Sequence, residues 1–124
     1  MAWGVNTVTW ALLKEAVVDT TGLSKDVLHV HLGLIALFSF SAILSRPVAS
    51  FLPWLAVLLL ELGNEVMDLV FWYMLDKLEI AQWHDSLSDL IITMILPTIF
   101  VLAARGLRHR TVAEATYGAF RDRL

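Results

Sequence analysis

Glu61, Asn64, Glu65 and Asp68 follow one another at steps of three, one and three residues. On a helix that turns 100° per residue, all four fall within roughly 100° of one another. Trp54 and Trp72 share that face. Carboxylates and an amide in one stripe can bind a polar ligand, pass protons or hold a cation. His29 adds an imidazole, and imidazole with the carboxylates of Glu65, Asp68 and Asp89 is a workable ligand set for a divalent metal. Asp89 has Asp85 one turn before it and Thr93 one turn after it on the same face.

What these groups can do depends on what surrounds them. The 124 residues are 58% hydrophobic and 17% charged, against about 45–50% and about 25% in an average soluble domain. A small soluble chain needs more polar covering than a large one, so lipid is the expected solvent. Apolar stretches run over about 27–45, 51–70 and 88–104, close to the roughly 17–25 residues that cross a bilayer core. Arg46-Pro47 separates the first two as a tight turn, because proline disfavours helix at the residue before it. The acidic stripe lies in the second stretch. A charge at mid-bilayer costs about 2.5–3.5 kcal/mol on insertion scales, so this face must turn toward protein or a watery cavity. An up-down-up path brings the start of span one, the end of span two and the start of span three to one surface. His29, Glu65, Asp68 and Asp89 then converge there, with Glu61 and Asn64 deeper. Gly33 and Ala36 continue the His29 face and let another helix approach closely.

Residues 1–13 are apolar and carry Trp3 and Trp10, but Lys14 and Glu15 interrupt them. That is too short to cross, has no clean apolar stripe, and suits a helix lying on or tucked against a membrane interface. Thr20-Thr21-Gly22 ends it, and Ser24 can cap the next helix. The aromatic cluster Phe71-Trp72-Tyr73 fits a headgroup layer, residues 76–88 read as a polar loop, and a basic helix-compatible tail follows residue 104. The expected fold is all-α: a single-domain integral membrane three-helix bundle over 1–124, with a peripheral interfacial N-terminal helix and a basic C-terminal helix.

Lys14, Lys25 and Lys77 fall on one side of this path, and Arg46, Arg105, Arg108, Arg110, Arg121 and Arg123 on the other. The positive-inside rule puts the arginines in the cytoplasm and the N-terminus outside, consistent with the inner membrane of a bacterium. Arg46, Arg105, Arg108 and Arg110 are candidates for contact with anionic lipid headgroups. A net charge of −3 argues against nucleic acid as a partner, and the absence of cysteine removes thiolate chemistry. The N-terminus lacks the basic region of a typical secretory signal. No glycine-rich phosphate loop and no nucleophile elbow is present, so nothing assigns catalysis. No HExxH-type motif accompanies the histidine and carboxylates, so no metal is expected. His31 lies about 200° around the helix from His29 and faces lipid, a partner, or a haem or chlorophyll-type pigment; an isolated histidine is no ground for a cofactor.

The motif order resembles the VanZ-like family of small membrane proteins. Lys25-Asp26-Val27-Leu28-His29 corresponds to the family's aspartate-lysine-x-x-histidine, with the first two exchanged. Glu61-Leu62-Gly63-Asn64 corresponds to its glutamate-x-x-glutamine or asparagine, and Asp89 to a later helix-opening aspartate. Thr93 stands where the family usually has asparagine, and the family's extra spanning helix is reduced to the segment 1–20. The resemblance covers roughly 24–104 and implies a membrane bundle with Lys25, Asp26, His29, Glu61, Asn64 and Asp89 at its site. Two functions are expected on these grounds, with catalysis on a lipid-linked substrate a weaker third. One is binding of a polar lipid or cell-envelope ligand at the outer leaflet. The other is an accessory subunit, in a homo-oligomer or packed against other subunits of a respiratory or photosynthetic membrane complex.

Overall fold

The computed structural model describes residues 2–121, with backbone alone at 2–7 and 118–120. The side chain of Trp3 and all of Arg123 lie outside the described residues. Four helices follow in order: α1 (Ala2–Thr21), α2 (Lys25–Ile43), α3 (Phe51–Met74) and α4 (Ile80–Arg121). No strand occurs among the described residues.

Local chemistry sets the helix ends. Gly22 takes φ +66°, a left-handed conformation that glycine adopts without strain, and its N–H donates to the Val18 carbonyl at 2.9 Å to close α1. Ser24 caps α2, its hydroxyl accepting from the Val27 N–H at 3.4 Å. Ser50 caps α3 in the same way through Leu52. Pro53 sits in the first turn of α3, where an N–H has no helical partner to lose. The α2–α3 turn is closed by the Ser41 hydroxyl, which donates to the Arg46 carbonyl.

Residues 80–88, expected in a polar loop, are helical and belong to α4. The Gln82 side chain accepts from the Glu79 N–H at 2.8 Å, the reach-back half of a capping box. The loop thus shrinks to residues 75–79. The basic tail is the same helix continued, and at 42 residues α4 is about 63 Å long, twice the thickness of a bilayer core.

α4 packs on both α2 and α3, and α2 packs on α3. Lys25 meets Asp89 and His29 meets Thr93, so α2 and α4 run parallel. Glu61 meets Thr93 while Trp54 meets Thr98, so α3 runs against them. Between these three helices lies a small apolar core of Leu37, Val57, Met94 and Val101, with Ala36, Phe40 and Trp54 packed against it.

α1 does not lie apart from the bundle. Trp10 meets Asn64 and Lys14 meets Asp68, equal steps on two parallel helices, so α1 runs alongside α3. Lys14, the charge that argued for a surface position, is matched by a carboxylate of opposite sign.

The distribution of side chains is the reverse of that in a soluble protein, in which large apolar groups are buried and carboxylates exposed. His29, Glu61, Glu65, Asp89 and Thr93 are buried, whereas Ile35, Ile43, Leu59, Ile91, Ile95, Ile99 and Leu102 face outward. α2 and the stretch Ile80–Tyr117 of α4 are long and apolar enough to cross a membrane. α3 has the length at 24 residues, but its three acidic residues keep it from qualifying by composition.

Candidate functional site: a buried polar cluster and its cavity

The acidic stripe of α3 divides between two neighbours. Glu61 and Glu65 point inward to α2 and α4, while Asn64 and Asp68 point to α1. Glu61 lies at the centre of the inner group. Its Oε1 accepts from His29 Nδ1 at 3.0 Å and from the Thr93 hydroxyl at 2.9 Å. His29 Nδ1 is also 3.0 Å from Thr93 Oγ1. Three helices are tied together by these three side chains, all of them buried. His29, Glu65 and Asp89 come together, Asp68 shares a cavity wall with Glu65 and Asp89, and Asn64 bonds Glu65; the arc of roughly 100° on α3 is wide enough for Asn64 and Asp68 to meet α1 as well.

The second group joins α1 to this centre. Trp10 Nε1 donates to Asn64 Oδ1 at 3.2 Å, and the Asn64 amide donates to Glu65 Oε1 at 3.1 Å. Lys14 forms an ion pair with Asp68 and lies 5.7 Å from the Trp10 ring centroid, within cation–π range. Lys25 stands beside Asp89 Oδ2, and this oxygen accepts no well-directed hydrogen bond although Asp89 is only 5% exposed. The ammonium serves there as a point charge.

Above the cluster, at the end of the bundle, is a cavity of about 120 Å³. Its wall is Lys25 from α2, Glu65, Asp68 and Trp72 from α3, and Gln82, Asp85, Ser86 and Asp89 from α4. Ser86 is also within hydrogen-bonding reach of Glu65. This cavity exists because residues 80–88 are helical: one turn of α4 before Asp89 sets Asp85 and Ser86 opposite Glu65.

The remaining candidate residues stand elsewhere. Asp26 is exposed in the first turn of α2. Gly33 is buried against Thr93, where a Cβ would sit 2.5 Å from the Thr93 carbonyl oxygen, and Ala36 lies beside the apolar core. His31 is exposed, with Nδ1 donating to the Val27 carbonyl at 2.7 Å. At the opposite end of the bundle, Arg105 Nε donates to the Ala49 carbonyl at 2.8 Å, and Arg46, Arg108 and Arg110 are exposed.

Sequence reasoning missed Lys14, Gln82 and Ser86 as members of the site, and placed Thr93 on the Asp89 face without giving it a role. The matching four-residue spacing of Trp10/Lys14 and Asn64/Asp68 was a usable signal for α1. No protein-family model matches the chain, and no curated protein or solved structure matches it significantly.

Proposed function

We propose that this chain is a small non-catalytic integral membrane protein whose polar cavity binds the headgroup of a polar lipid or another cell-envelope component. α2, α3 and the apolar part of α4 cross the membrane up, down and up as a three-helix bundle, and α1 lies against α3 in the same layer. The outward apolar side chains and buried carboxylates support this, since lipid solvates the former and cannot solvate the latter. The acids of α3 do not forbid a span, because each is turned toward protein.

The cavity carries the reading. Every residue of its wall is polar except Trp72, and it lies at one end of the bundle, where a headgroup would sit. Its carboxylates suit hydroxyl and amine donors, and the Trp72 ring offers an apolar or cation–π face. Arg46, Arg105, Arg108 and Arg110 lie toward the other end, where they meet anionic headgroups. The positive-inside rule then puts the cavity on the outer side of a bacterial cytoplasmic membrane and the C-terminus inside. Because α1 is parallel to α3, its start points toward the cytoplasmic end, which replaces the exterior N-terminus expected from three spans alone. The VanZ-like order of motifs supports the same site, since Lys25, His29, Glu61 and Asp89 all belong to it.

Native mass spectrometry of the protein taken from membranes in mild detergent tests this. The expected result is a retained small molecule or lipid on the wild type, depleted by Asp85→Asn and Ser86→Ala with the helix content unchanged. A bare chain, equal retention by the variants, or a stoichiometric second protein subunit would overturn the reading in favour of a packing or accessory role.

A further inference from the structure

Beneath the cavity, a ring nitrogen of His29, an oxygen of Glu65 and an oxygen of Asp89 all lie within 4.8 Å of one another. One ligand comes from each of α2, α3 and α4, so the packing of the bundle fixes their spacing. Two further observations indicate what belongs between them. Asp89 is 5% exposed, and its buried Oδ2 is met by the Lys25 ammonium alone, without a well-directed hydrogen bond, a charge on a flexible stem that a bound cation can replace. Glu65 is 5% exposed and is met only by neutral donors among the contacts described, the amides of Asn64 and the hydroxyl of Ser86. Asp68 has Lys14 and Asp89 has Lys25, and Glu61 has the His29 ring and the Thr93 hydroxyl, so Glu65 faces the cavity with the neutral donors of Asn64 and Ser86.

We propose that His29, Glu65 and Asp89 form a binding site for a divalent transition-metal cation, such as zinc or cobalt. Imidazole with two carboxylates favours such ions over magnesium or calcium, which prefer oxygen alone. Glu61 and Thr93 hold the ring in the manner metal sites require. With its proton on Nδ1, His29 donates to the Glu61 carboxylate and keeps the Nε2 lone pair for the metal. A carboxylate behind a histidine fixes tautomer and orientation in this way at many metal centres. Three protein ligands leave a position for water, and the adjoining polar cavity is an entry path. Lys25 is half-exposed and free to swing away, so its ammonium occupies Asp89 in the metal-free protein and competes with the cation. None of this depends on the headgroup reading, because the cation needs no second ligand.

Cobalt titration of the purified full chain, followed by visible d–d absorption, tests the site. A variant lacking the exposed His31, His84 and His109 serves as the reference, which removes surface imidazoles. The expected result is binding of one cobalt per chain, displaced by zinc. Glu65→Gln and Asp89→Asn each weaken it by about 10–100-fold or more, at least the effect seen for residues one shell further out. Lys25→Gln tightens binding, because the competing ammonium is gone. Retained thermal unfolding in the absence of metal shows that each variant is folded. If Asp89→Asn fails to fold, Glu65→Gln and Lys25→Gln decide the matter. No binding at millimolar cobalt, binding lost with the three exposed histidines, or Lys25→Gln weakening it would overturn the proposal. The headgroup reading would survive that failure, since its readout is ligand mass, not cobalt absorption.

Discussion

Gly33 approaches Thr93 so closely that α2 and α4 touch through backbone: a Cβ on Gly33 would lie 2.5 Å from the Thr93 carbonyl oxygen. That carbonyl is available because Pro97, four residues on, has no N–H to offer it. Gly33 meets it with a Cα–H instead of a side chain, a weak but recurrent helix–helix contact. The same approach sets Thr93 within reach of His29 and Glu61, so the polar cluster depends on the glycine.

Substituting that glycine should therefore separate the helices. Gly33→Ala is expected to lower the unfolding temperature in detergent, by the equivalent of about 1–3 kcal/mol for overpacking. Gly63→Ala is the control, because a Cβ there meets nothing within 4 Å. It should leave stability unchanged or raise it by up to about 1 kcal/mol through helix propensity. Equal effects at the two positions would contradict the close contact.

The position of α1 can be tested without background, since the chain has no cysteine. A protein carrying Trp10→Cys and Asn64→Cys should be joined in high yield by a short bis-maleimide, read as a mobility shift after cleavage of the intervening chain. Trp10→Cys with Leu52→Cys, about 18 Å back along α3 from Asn64, should not. A helix lying flat on the membrane would join neither pair.

The Lys14–Asp68 pair should behave as a unit. Lys14→Met or Asp68→Leu alone leaves one charge without its partner and is expected to cost up to about 3 kcal/mol. The double variant should recover most of that loss, and thermal unfolding of all four proteins gives the coupling. Additive losses would mean that the two side chains do not act together.

Much of the site was legible, for a simple reason. A carboxylate in an apolar stretch must face protein, so the spacing of Glu61, Glu65 and Asp68 gave the inner face of α3, and the alternation of direction brought His29 and Asp89 to its end. What was not legible was the neighbour each residue takes. Asn64 and Asp68 serve α1, because Lys14, unpaired on paper, finds its partner 54 residues away. Residues 80–88 read as loop from their polarity, yet polar residues are compatible with helix at the exposed start of α4. There the Gln82 side chain caps α4, and the first turns of that helix form the cavity wall. Thr93 was legible as a neighbour of Asp89 on one face of its helix, but not as the partner of Glu61 and His29.

The most direct test of the account is the accessibility of single cysteines to a membrane-impermeant maleimide in intact cells. One cysteine replaces Gln82 at the cavity, and another replaces His109 on the basic part of α4. The account predicts that the first is labelled in intact cells and the second only after the membrane is opened. Labelling of both in intact cells, or of position 109 alone, would contradict a bundle that crosses the membrane with its cavity outward.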